Sequence, residues 1–263
     1  MVVPAALIQG ASRGLGLQFC KTLLSRQPGL NVIATCRSPV QAEELQKLKS
    51  EPSTGGRLHI LGVDVKNESQ IEEAAGNVEK QFGQLDLLVN CAAILHPTGR
   101  GETSLKDVNL QGLQETCITN AFGPLLMGKH FGKLLTKGGG SIGVQSNDAK
   151  PNHSGVLVNI SAKVGSITDN ALGGWYSYRM SKAALNMATK NLSIELGRGK
   201  SKVICVSLHP GTVDTALSRP YHKNVKNLFT TEHSVSKLLT VIDSLTVLDS
   251  GKFFTYDREL LPF

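Results

Sequence analysis

Short apolar runs alternate with longer stretches of helical periodicity along almost the whole chain. Runs rich in Val, Ile and Leu predict β-strands over residues 5–9, 31–36, 57–63, 85–90, 155–161, 202–208 and 252–255. Apolar residues that recur every three or four positions predict helices over residues 14–27, 40–50, 69–82, about 106–135, 176–196 and 231–245. Apolar strands separated by helices are typical of a parallel sheet covered on both faces. The pattern therefore predicts an α/β fold: a single doubly wound Rossmann domain over residues 1–263, with a mainly parallel sheet of about seven strands.

Two stretches show neither the apolar runs of strands nor the apolar spacing of helices. Residues 137–154 are rich in Gly, Ser and Asn and are predicted to form a flexible surface insertion before the fifth strand. Residues 211–230 follow a Pro-Gly pair and are either a loop on the substrate side of a pocket or an ordinary connection. Neither stretch separates two blocks of domain size, so the prediction of one domain stands.

The charge balance is basic, because 28 Lys and Arg against 21 Asp and Glu give a net charge of +7. The basic residues are scattered, and aromatic residues make up only 5% of the chain, which disfavours a surface on which nucleic-acid bases stack. An anionic small ligand explains part of the excess, and scattered solvated lysines explain the rest.

The five cysteines are odd in number and include no CxxC pair. This usage favours reduced thiols in a reducing compartment and predicts no metal site. The first residues lack the basic segment of a signal peptide, and no run approaches the roughly eighteen apolar residues of a membrane span. The sequence therefore predicts a cytoplasmic protein that has no membrane partner.

A glycine-rich turn joins the first predicted strand to the first predicted helix. Its residues are Gly10, Ala11, Ser12, Arg13, Gly14, Leu15 and Gly16. In a dinucleotide fold one glycine permits the tight turn, another lets the backbone approach a pyrophosphate, and the helix N-terminus supplies free N–H groups and a positive dipole. Such glycines also occur in ordinary turns, but the strand before them and the helix after them favour a dinucleotide site.

The residues after the second and third strands bear on which dinucleotide binds. A carboxylate at the end of the second strand would hold a ribose 2′-hydroxyl and repel a 2′-phosphate, but this strand ends in Cys36-Arg37. Arg37, helped by Arg13, is suited to pair with a phosphate, or else it is a solvated loop arginine. NADP(H) is therefore favoured over NAD(H). Asp64, after the third strand, either holds the adenine amino group or caps the next helix.

Tyr178 and Lys182 lie four residues apart in the predicted helix 176–196, so their side chains share one helix face. A phenol with a pKa near 10 is a poor acid or base at neutral pH. A lysine cation about 4 Å away favours the phenolate by roughly 4 kcal/mol, or about three pKa units. Tyr178 is therefore predicted to donate a proton to a carbonyl oxygen in reduction and to accept one in oxidation. A Tyr-x-x-x-Lys pair alone also occurs by chance on helix surfaces.

The order of its motifs makes the chain resemble the short-chain dehydrogenase/reductase family over essentially its whole length. These motifs are residues 10–16, Asp64-Val65, Asn90-Cys91-Ala92-Ala93, Asn120, Asn159-Ile160-Ser161, residues 178–182 and Pro210-Gly211. Residues 208–213 and 251–257 are similar to the C-factor/sniffer-type carbonyl reductase branch of that family.

The resemblance implies a role for each matching residue. Asn120 would complete a proton relay with Tyr178 and Lys182, and Lys182 would also bind the nicotinamide ribose; otherwise Asn120 is simply a polar residue that breaks a helix. The resemblance also implies a homodimer or homotetramer that pairs through helices 106–135 and 176–196. The further cofactor contacts that it implies are Val65, Asn90, Ala92, Ala93, Pro210, Gly211, Val213 and Thr215.

Two positions depart from the family pattern. Ala93 replaces a glycine, which is a small change. The family often has Asn-x-Ser-Ser, with the second serine catalytic, but here that position is Ala162 and the hydroxyl falls on Ser161. Adjacent strand residues point to opposite faces, so Ser161 serves as the catalytic serine only if the strand end twists or bulges. Lys163 or a water molecule is the alternative partner of the substrate oxygen.

The sequence thus predicts an NADP(H)-dependent oxidoreductase, specifically a carbonyl reductase for a small or medium apolar carbonyl or alcohol substrate. The alternative, which Ala162 supports, is an NADP(H)-binding regulatory or signalling protein with weak catalytic activity. A nucleic-acid-binding module is disfavoured. Four aromatic residues either line the substrate pocket or are ordinary core and surface residues: Trp175, Tyr176, Tyr221 and Phe229.

Overall fold

Seven parallel strands form one sheet in the part of the chain that the structure describes. The computed structural model describes residues 3–143, 152–225 and 227–263. The strands are β1 (Ala5–Gln9), β2 (Asn31–Cys36), β3 (Leu58–Gly62), β4 (Leu87–Asn90), β5 (Val156–Ile160), β6 (Ile204–His209) and β7 (Phe253–Thr255). Their order is β3-β2-β1-β4-β5-β6-β7, and every pairing is parallel. This confirms the predicted doubly wound parallel sheet.

The helices agree with the prediction except in the stretch 106–135. The helices are α1 (Gly14–Arg26), α2 (Glu43–Ser50), α3 (Glu68–Phe82), α4 (Leu110–Cys117), α5 (Gly123–Leu135), α6 (Tyr176–Leu196) and α7 (Thr231–Asp243). A π-helical turn, Ile118–Phe122, separates α4 from α5, and the Gly123 N–H bonds to the Ile118 carbonyl five residues back. Pro124 follows at once and has no N–H to continue an α-helical ladder.

The helices cover the two faces of the sheet in two layers. Successive residues of a strand point to opposite faces. Ala6 and Ile8 of β1 therefore pack in the core beneath α1, α2 and α7, whereas Ala5 and Leu7 pack in the core beneath α3, α5 and α6. Each fully buried Leu or Ile contributes about 1.5–3 kcal/mol relative to an exposed one, so both layers hold the sheet firmly.

The carboxyl edge of the sheet collects most of the predicted site residues. From β1 the chain crosses to β2 on one side, while β4 pairs on the other side, so the strand order reverses at β1, which is where doubly wound sheets bind their ligands. Predicted site residues stand at or just after the ends of successive strands: Gly10 after β1, Arg37 after β2, Asp64 after β3, Asn90 in β4, Ser161 after β5 and Pro210 after β6.

The two stretches without strand or helix periodicity, residues 137–154 and 211–230, connect elements of the sheet and its helices. Residues 144–151 of the predicted insertion lie outside the described residues, and the flanking Ile142 and His153 are buried and hydrogen-bonded to each other. The described part of 211–230 contains one short 3-10 helix, Arg219–Asn224. Among the described residues no helix combines the length and the apolar character that crossing a membrane requires.

Candidate active site

The glycine turn after β1 brings three backbone segments into close contact. The N–H groups of Gly10 and Ala11 both donate to the Thr35 carbonyl, at 3.0 and 2.9 Å, and Gly10 has a φ of +82°. A Cβ on Gly10 would lie 2.6 Å from the Ala92 nitrogen, and a Cβ on Gly16 would lie 2.3 Å from the Gly10 oxygen. Only glycine fits at both positions, and the turn leaves the first N–H groups of α1 uncovered by side chains.

Two other predicted segments reach the same turn. An added Cβ on Gly14 would lie 3.5 Å from Thr215 Cγ2, so residues 211–230 begin beside the N-terminus of α1. The Ala92 N–H donates to Gln9 Oε1 at 3.0 Å, which fixes the chain after β4 against β1. Gln9 was not among the sequence candidates, because a buried glutamine in an apolar strand gives no signal of its own. The predicted contacts Ser12, Leu15 and Ala93 are partly exposed at this turn.

Two arginines lie at the carboxyl edge of the sheet, Arg13 in the glycine turn and Arg37 directly after β2. Arg13 and Arg37 are both exposed, and neither forms an ion pair with a carboxylate of the described residues. A guanidinium has five N–H donors in a planar fork that matches phosphate. The uncovered helix N-terminus, the backbone cradle and the two free cations together fit an anionic dinucleotide that carries an additional phosphate.

The structure separates the two roles considered for Asp64. Asn67, not Asp64, caps α3, because its side chain accepts the Gln70 N–H at 3.3 Å. Asp64 Oδ1 accepts the Lys66 N–H at 3.0 Å, and its carboxylate is only half-buried at the sheet edge. Val65, next in the chain, is buried against Gly123, where an added Cβ would lie 2.8 Å from the valine Cβ.

Asn90 contributes a buried acceptor that has no partner. Its Nδ2 donates to Asn159 Oδ1 on the neighbouring strand at 2.8 Å, while its Oδ1 is buried and accepts no hydrogen bond from the described residues. The Asn159 amide in turn donates to Thr189 of α6 at 2.8 Å. A buried acceptor without a donor costs about 1–3 kcal/mol, so Asn90 Oδ1 also fits a site that a ligand donor completes.

Tyr178 and Lys182 share the inner face of α6, as the spacing predicts. Tyr178 is 7% exposed and Lys182 is 2% exposed. Lys182 Nζ lies 5.7 Å from the centre of the phenol ring and donates to the Ile160 carbonyl at 2.7 Å. Within the described residues the phenol oxygen is neither bonded nor fully buried, so it is available to a substrate.

The pKa values of this pair differ from the sequence-based expectation. Burial raises the pKa of Tyr178, whereas a lysine cation was expected to lower it. Burial also lowers the pKa of Lys182 to about 7, an effect that the nearby Cys91 thiol partly opposes. The expectation of a lowered phenol pKa is therefore wrong for the chain itself. The reason is that both side chains are buried, and desolvation disfavours both the phenolate and the ammonium.

Asn120 lies in the π-helical turn and joins the loop after β4 to α6. Its Oδ1 accepts the Ile94 N–H at 2.8 Å, and its Nδ2 donates to the Ile94 carbonyl at 2.7 Å and to Ser181 Oγ at 3.0 Å. Ser181 donates on to the Tyr178 carbonyl at 2.8 Å. Asn120 is thus in contact with the helix turn that carries the tyrosine. Ser181 was missed because a serine inside a helix carries no sequence signal.

Ser161 faces the interior of the fold. Its hydroxyl is buried and donates to Asn186 Oδ1 on α6 at 2.8 Å, so its only proton is already engaged. Ala162, in extended backbone, is partly exposed. Lys163 is exposed and pairs with Asp169 at 3.4 Å. These contacts give no support to Ser161 or Lys163 as a donor to a substrate oxygen, because the Ser161 hydroxyl already donates inside the fold and Lys163 is paired with Asp169.

Two of the four candidate pocket aromatics lie together beside Tyr178. The Trp175 ring is 6.3 Å from the Tyr178 ring and 4.7 Å from the Tyr221 ring. Phe229 belongs to a different cluster and packs on Tyr256 at 4.8 Å. Among the described residues Tyr176 makes no ring contact.

The segment after β6 is fixed to the rest of the fold by its own backbone. The Pro210 carbonyl accepts the Ser234 hydroxyl at 2.7 Å. Gly211 has a φ of +80°, and a Cβ there would lie 2.8 Å from the Phe229 ring. Val213 pairs with Phe229 in an isolated parallel bridge. This segment therefore holds Thr215 beside the glycine turn.

Comparison with known proteins gives consistent matches over the chain. A family model described as short chain dehydrogenase matches residues 4–226. The uncharacterized oxidoreductase C663.09c of Schizosaccharomyces pombe is 30% identical over 269 residues, which cover 97% of this chain and 96% of that protein. Two solved structures are similar over 100% of both chains: an NADPH-bound carbonyl reductase from chicken fatty liver (31% identity, TM-score 0.84) and the carbonyl reductase Sniffer of D. melanogaster (32% identity, TM-score 0.83).

Proposed function

The chain belongs to the short-chain dehydrogenase family of oxidoreductases, and from that premise we propose that it is an NADP(H)-dependent carbonyl reductase for a small or medium apolar carbonyl substrate. The membership confirms the predicted resemblance. One observation carries the proposed activity: the unbonded phenol of Tyr178 lies one helical turn from Lys182, on the helix that follows β5. That pair and the glycine turn belong to the same edge of the sheet.

The cofactor proposal depends on residues of two loops and one helix. The glycine turn and the N-terminus of α1 would hold the pyrophosphate, Arg37 and Arg13 the additional phosphate, and Lys182 the nicotinamide ribose. The chicken carbonyl reductase, similar over its whole length, binds NADPH. When bound, NADPH supplies the hydride that reduces the carbonyl carbon.

Residues of the chain itself would donate the proton to the substrate and then replace it. Because burial raises its pKa, Tyr178 stays protonated at neutral pH and can donate its phenolic proton to the carbonyl oxygen. Lys182, whose pKa burial lowers to about 7, can pass a proton toward the resulting phenolate at neutral pH. Asn120 holds the Ile94 backbone and Ser181 against the turn that carries Tyr178. With Ala162 beside Ser161, the substrate oxygen would receive one side-chain donor, Tyr178.

The direct test is consumption of NADPH by the purified protein in the presence of a panel of aliphatic and aromatic aldehydes and ketones. We expect turnover with at least one apolar carbonyl compound, and that turnover should depend on Tyr178. Tight NADPH binding without Tyr178-dependent turnover would instead support the second candidate, a cofactor-binding regulatory protein, which only Ala162 favours. The homodimer or homotetramer, the cytoplasmic location and the lack of a nucleic-acid partner stay predictions.

Arg37→Ala is expected to reduce the preference for NADPH over NADH by about tenfold, because one charge-assisted contact with the 2′-phosphate is lost. The change should appear as a higher KM for NADPH with an unchanged KM for NADH, measured from initial rates with both cofactors. Arg26→Ala is the matched control, since Arg26 is an exposed arginine that pairs with Asp243 at the far end of α1. An unaltered cofactor preference in Arg37→Ala would contradict the assigned phosphate site.

The two directions of the reaction should respond differently to pH. Since burial raises the pKa of Tyr178, the protonated phenol needed for reduction persists through neutral pH. Alcohol oxidation needs the phenolate, whose fraction rises roughly tenfold per pH unit below that pKa. Lys182 also becomes neutral above its pKa of about 7 and can then accept a proton. We expect initial rates of reduction to fall above about pH 7, because Lys182 then loses the proton that it passes to the phenolate, while rates of oxidation rise; oxidation that slows as pH rises would contradict this assignment.

A further inference from the structure

A buried carboxylate outside the proposed relay lies against the first turn of α6. Glu102 is 4% exposed, and its Oε1 accepts both the N–H of Ser177, at 3.2 Å, and the Ser177 hydroxyl. Its second oxygen, Oε2, is buried and has no partner among the described residues. A negative charge is favourable at this end of a helix, because the helix dipole and the free N–H groups are positive there.

The same residue also fixes the residue that precedes the helix. Trp175 has a φ of +49°, a left-handed conformation that a bulky side chain adopts only when its surroundings impose it. Its N–H donates to the Glu102 carbonyl at 2.6 Å. Gly101 packs against the indole, where a Cβ would lie 2.6 Å from Cδ1. Glu102 thus holds Trp175 with its backbone and Ser177 with its side chain.

Trp175 in turn contacts the phenol ring. The two rings meet edge to face, with centres 6.3 Å apart and planes at 76°. On its other side Trp175 contacts the ring of Tyr221, whose hydroxyl accepts the Gly101 N–H at 3.0 Å. Since no hydrogen bond within the described residues holds the phenol oxygen of Tyr178, the direction of that ring depends on its helix turn and on the indole.

We propose that Glu102 is a positioning residue for Tyr178: it holds Trp175 and Ser177 together and thereby fixes the direction in which the phenol points. This proposal rests on the proposed function. It differs from a purely structural role because Glu102 acts on the placement of one side chain, so its loss affects turnover more than stability. A displacement of about 1 Å of a reacting group can cost about 100-fold in rate.

The test compares Glu102→Ala with Glu102→Gln, which keeps an acceptor oxygen for Ser177. We expect Glu102→Ala to lower kcat by about 10- to 100-fold with little change in the Kd for NADPH, and Glu102→Gln to retain most of kcat. Trp175 is the single tryptophan of the chain, so its fluorescence reports directly on the surroundings that Glu102 and Ser177 give it. Both variants keep the backbone carbonyl that accepts the Trp175 N–H, so its emission should change in Glu102→Ala because the lost Ser177 contact shifts the first turn of α6 next to the indole, and should stay close to the wild-type spectrum in Glu102→Gln.

Asp249→Ala is the matched control. Asp249 is also buried, and its Oδ2 accepts both the N–H and the hydroxyl of Thr246 at 2.9 Å, but it lies before β7 at the opposite edge of the sheet. The Asp249→Ala variant should have a lower melting temperature than the wild-type protein, but the same kcat per folded molecule and the same Trp175 emission. Equal kcat in Glu102→Ala and wild type, or equal effects of Glu102→Ala and Asp249→Ala, would overturn the proposal.

The two proposals fail in different ways. A wild-type protein without Tyr178-dependent turnover would overturn the proposed function, and this proposal with it, before any Glu102 variant is compared. A wild-type protein that turns over, together with a fully active Glu102→Ala variant, would overturn the positioning role alone. Should Glu102→Ala not fold, Ser177→Ala removes one of the two side-chain contacts and should give a smaller decrease in kcat with the same unchanged Kd.

Discussion

Tyr178→Phe is expected to lower kcat for carbonyl reduction by about a thousandfold, since its phenol is the proposed proton donor and makes no hydrogen bond within the described residues. The substitution removes the hydroxyl and keeps the ring that packs edge to face on Trp175. Cofactor affinity should change by less than about threefold, because an interaction made only in the transition state contributes to kcat rather than to binding. Single-turnover oxidation of NADPH would measure the chemical step, and a fluorescence titration would measure the Kd.

Tyr176→Phe provides the matched control for this loss. Tyr176 is in the same turn of α6, is half-buried and makes no ring contact among the described residues, so removing its hydroxyl should leave kcat unchanged. A Tyr178→Phe variant with more than about a tenth of wild-type kcat would contradict the assignment of Tyr178 as the acid. In that case a water molecule or another hydroxyl would have to deliver the proton.

The fold was predictable from the sequence because its signals are local. Each strand is a short apolar run, and a parallel sheet covered on both faces needs such runs. Ala5–Gln9 and Tyr176–Leu196 begin and end where the sequence pattern places them. The stretch 106–135 was predicted as one helical region, because apolar residues keep helical spacing through Asn120 and Pro124; the alternative interpretation of Asn120 as a residue that breaks a helix agrees with the π-helical turn. Proline has no N–H to donate to the helix hydrogen bonds, and a hydropathy pattern does not show this loss.

The candidate site was predictable in its residue types but less so in its energetics. Spacing alone placed Tyr178 and Lys182 on one helix face. The pKa of each depends on how much water reaches it, and that depends on packing between segments distant in sequence. Lys182 Nζ is directed to the Ile160 carbonyl, a backbone group that sequence reasoning does not mark. Glu102 was missed for the same reason, since its partners lie 75 residues away in sequence.

Alanine at position 162, where the family often has its catalytic serine, leaves Ser161 one position too early in the strand, and this shift changes the chemistry of the site. Strand residues alternate between faces, so a serine one position early is turned to the opposite side. The structure confirms that geometry, with Ser161 bonded to Asn186 inside the fold. The remaining question is what a methyl group at position 162 does to the rate, and a substitution addresses it directly.

Ala162→Ser is expected to raise kcat/KM for a simple ketone by roughly 10- to 100-fold, since one donor to a developing oxyanion is worth about that much. The backbone at Ala162 is extended (φ −151°, ψ 144°), so serine fits there without strain. Ser161→Ala is the paired control: it should cost about 1–3 kcal/mol of stability, because Asn186 loses a partner, but should leave kcat of the folded enzyme unchanged. Initial rates at saturating NADPH and thermal unfolding measure both effects. If Ala162→Ser is no faster while Ser161→Ala abolishes turnover, then Ser161 holds the substrate oxygen after all, and the strand end must rearrange when substrate binds.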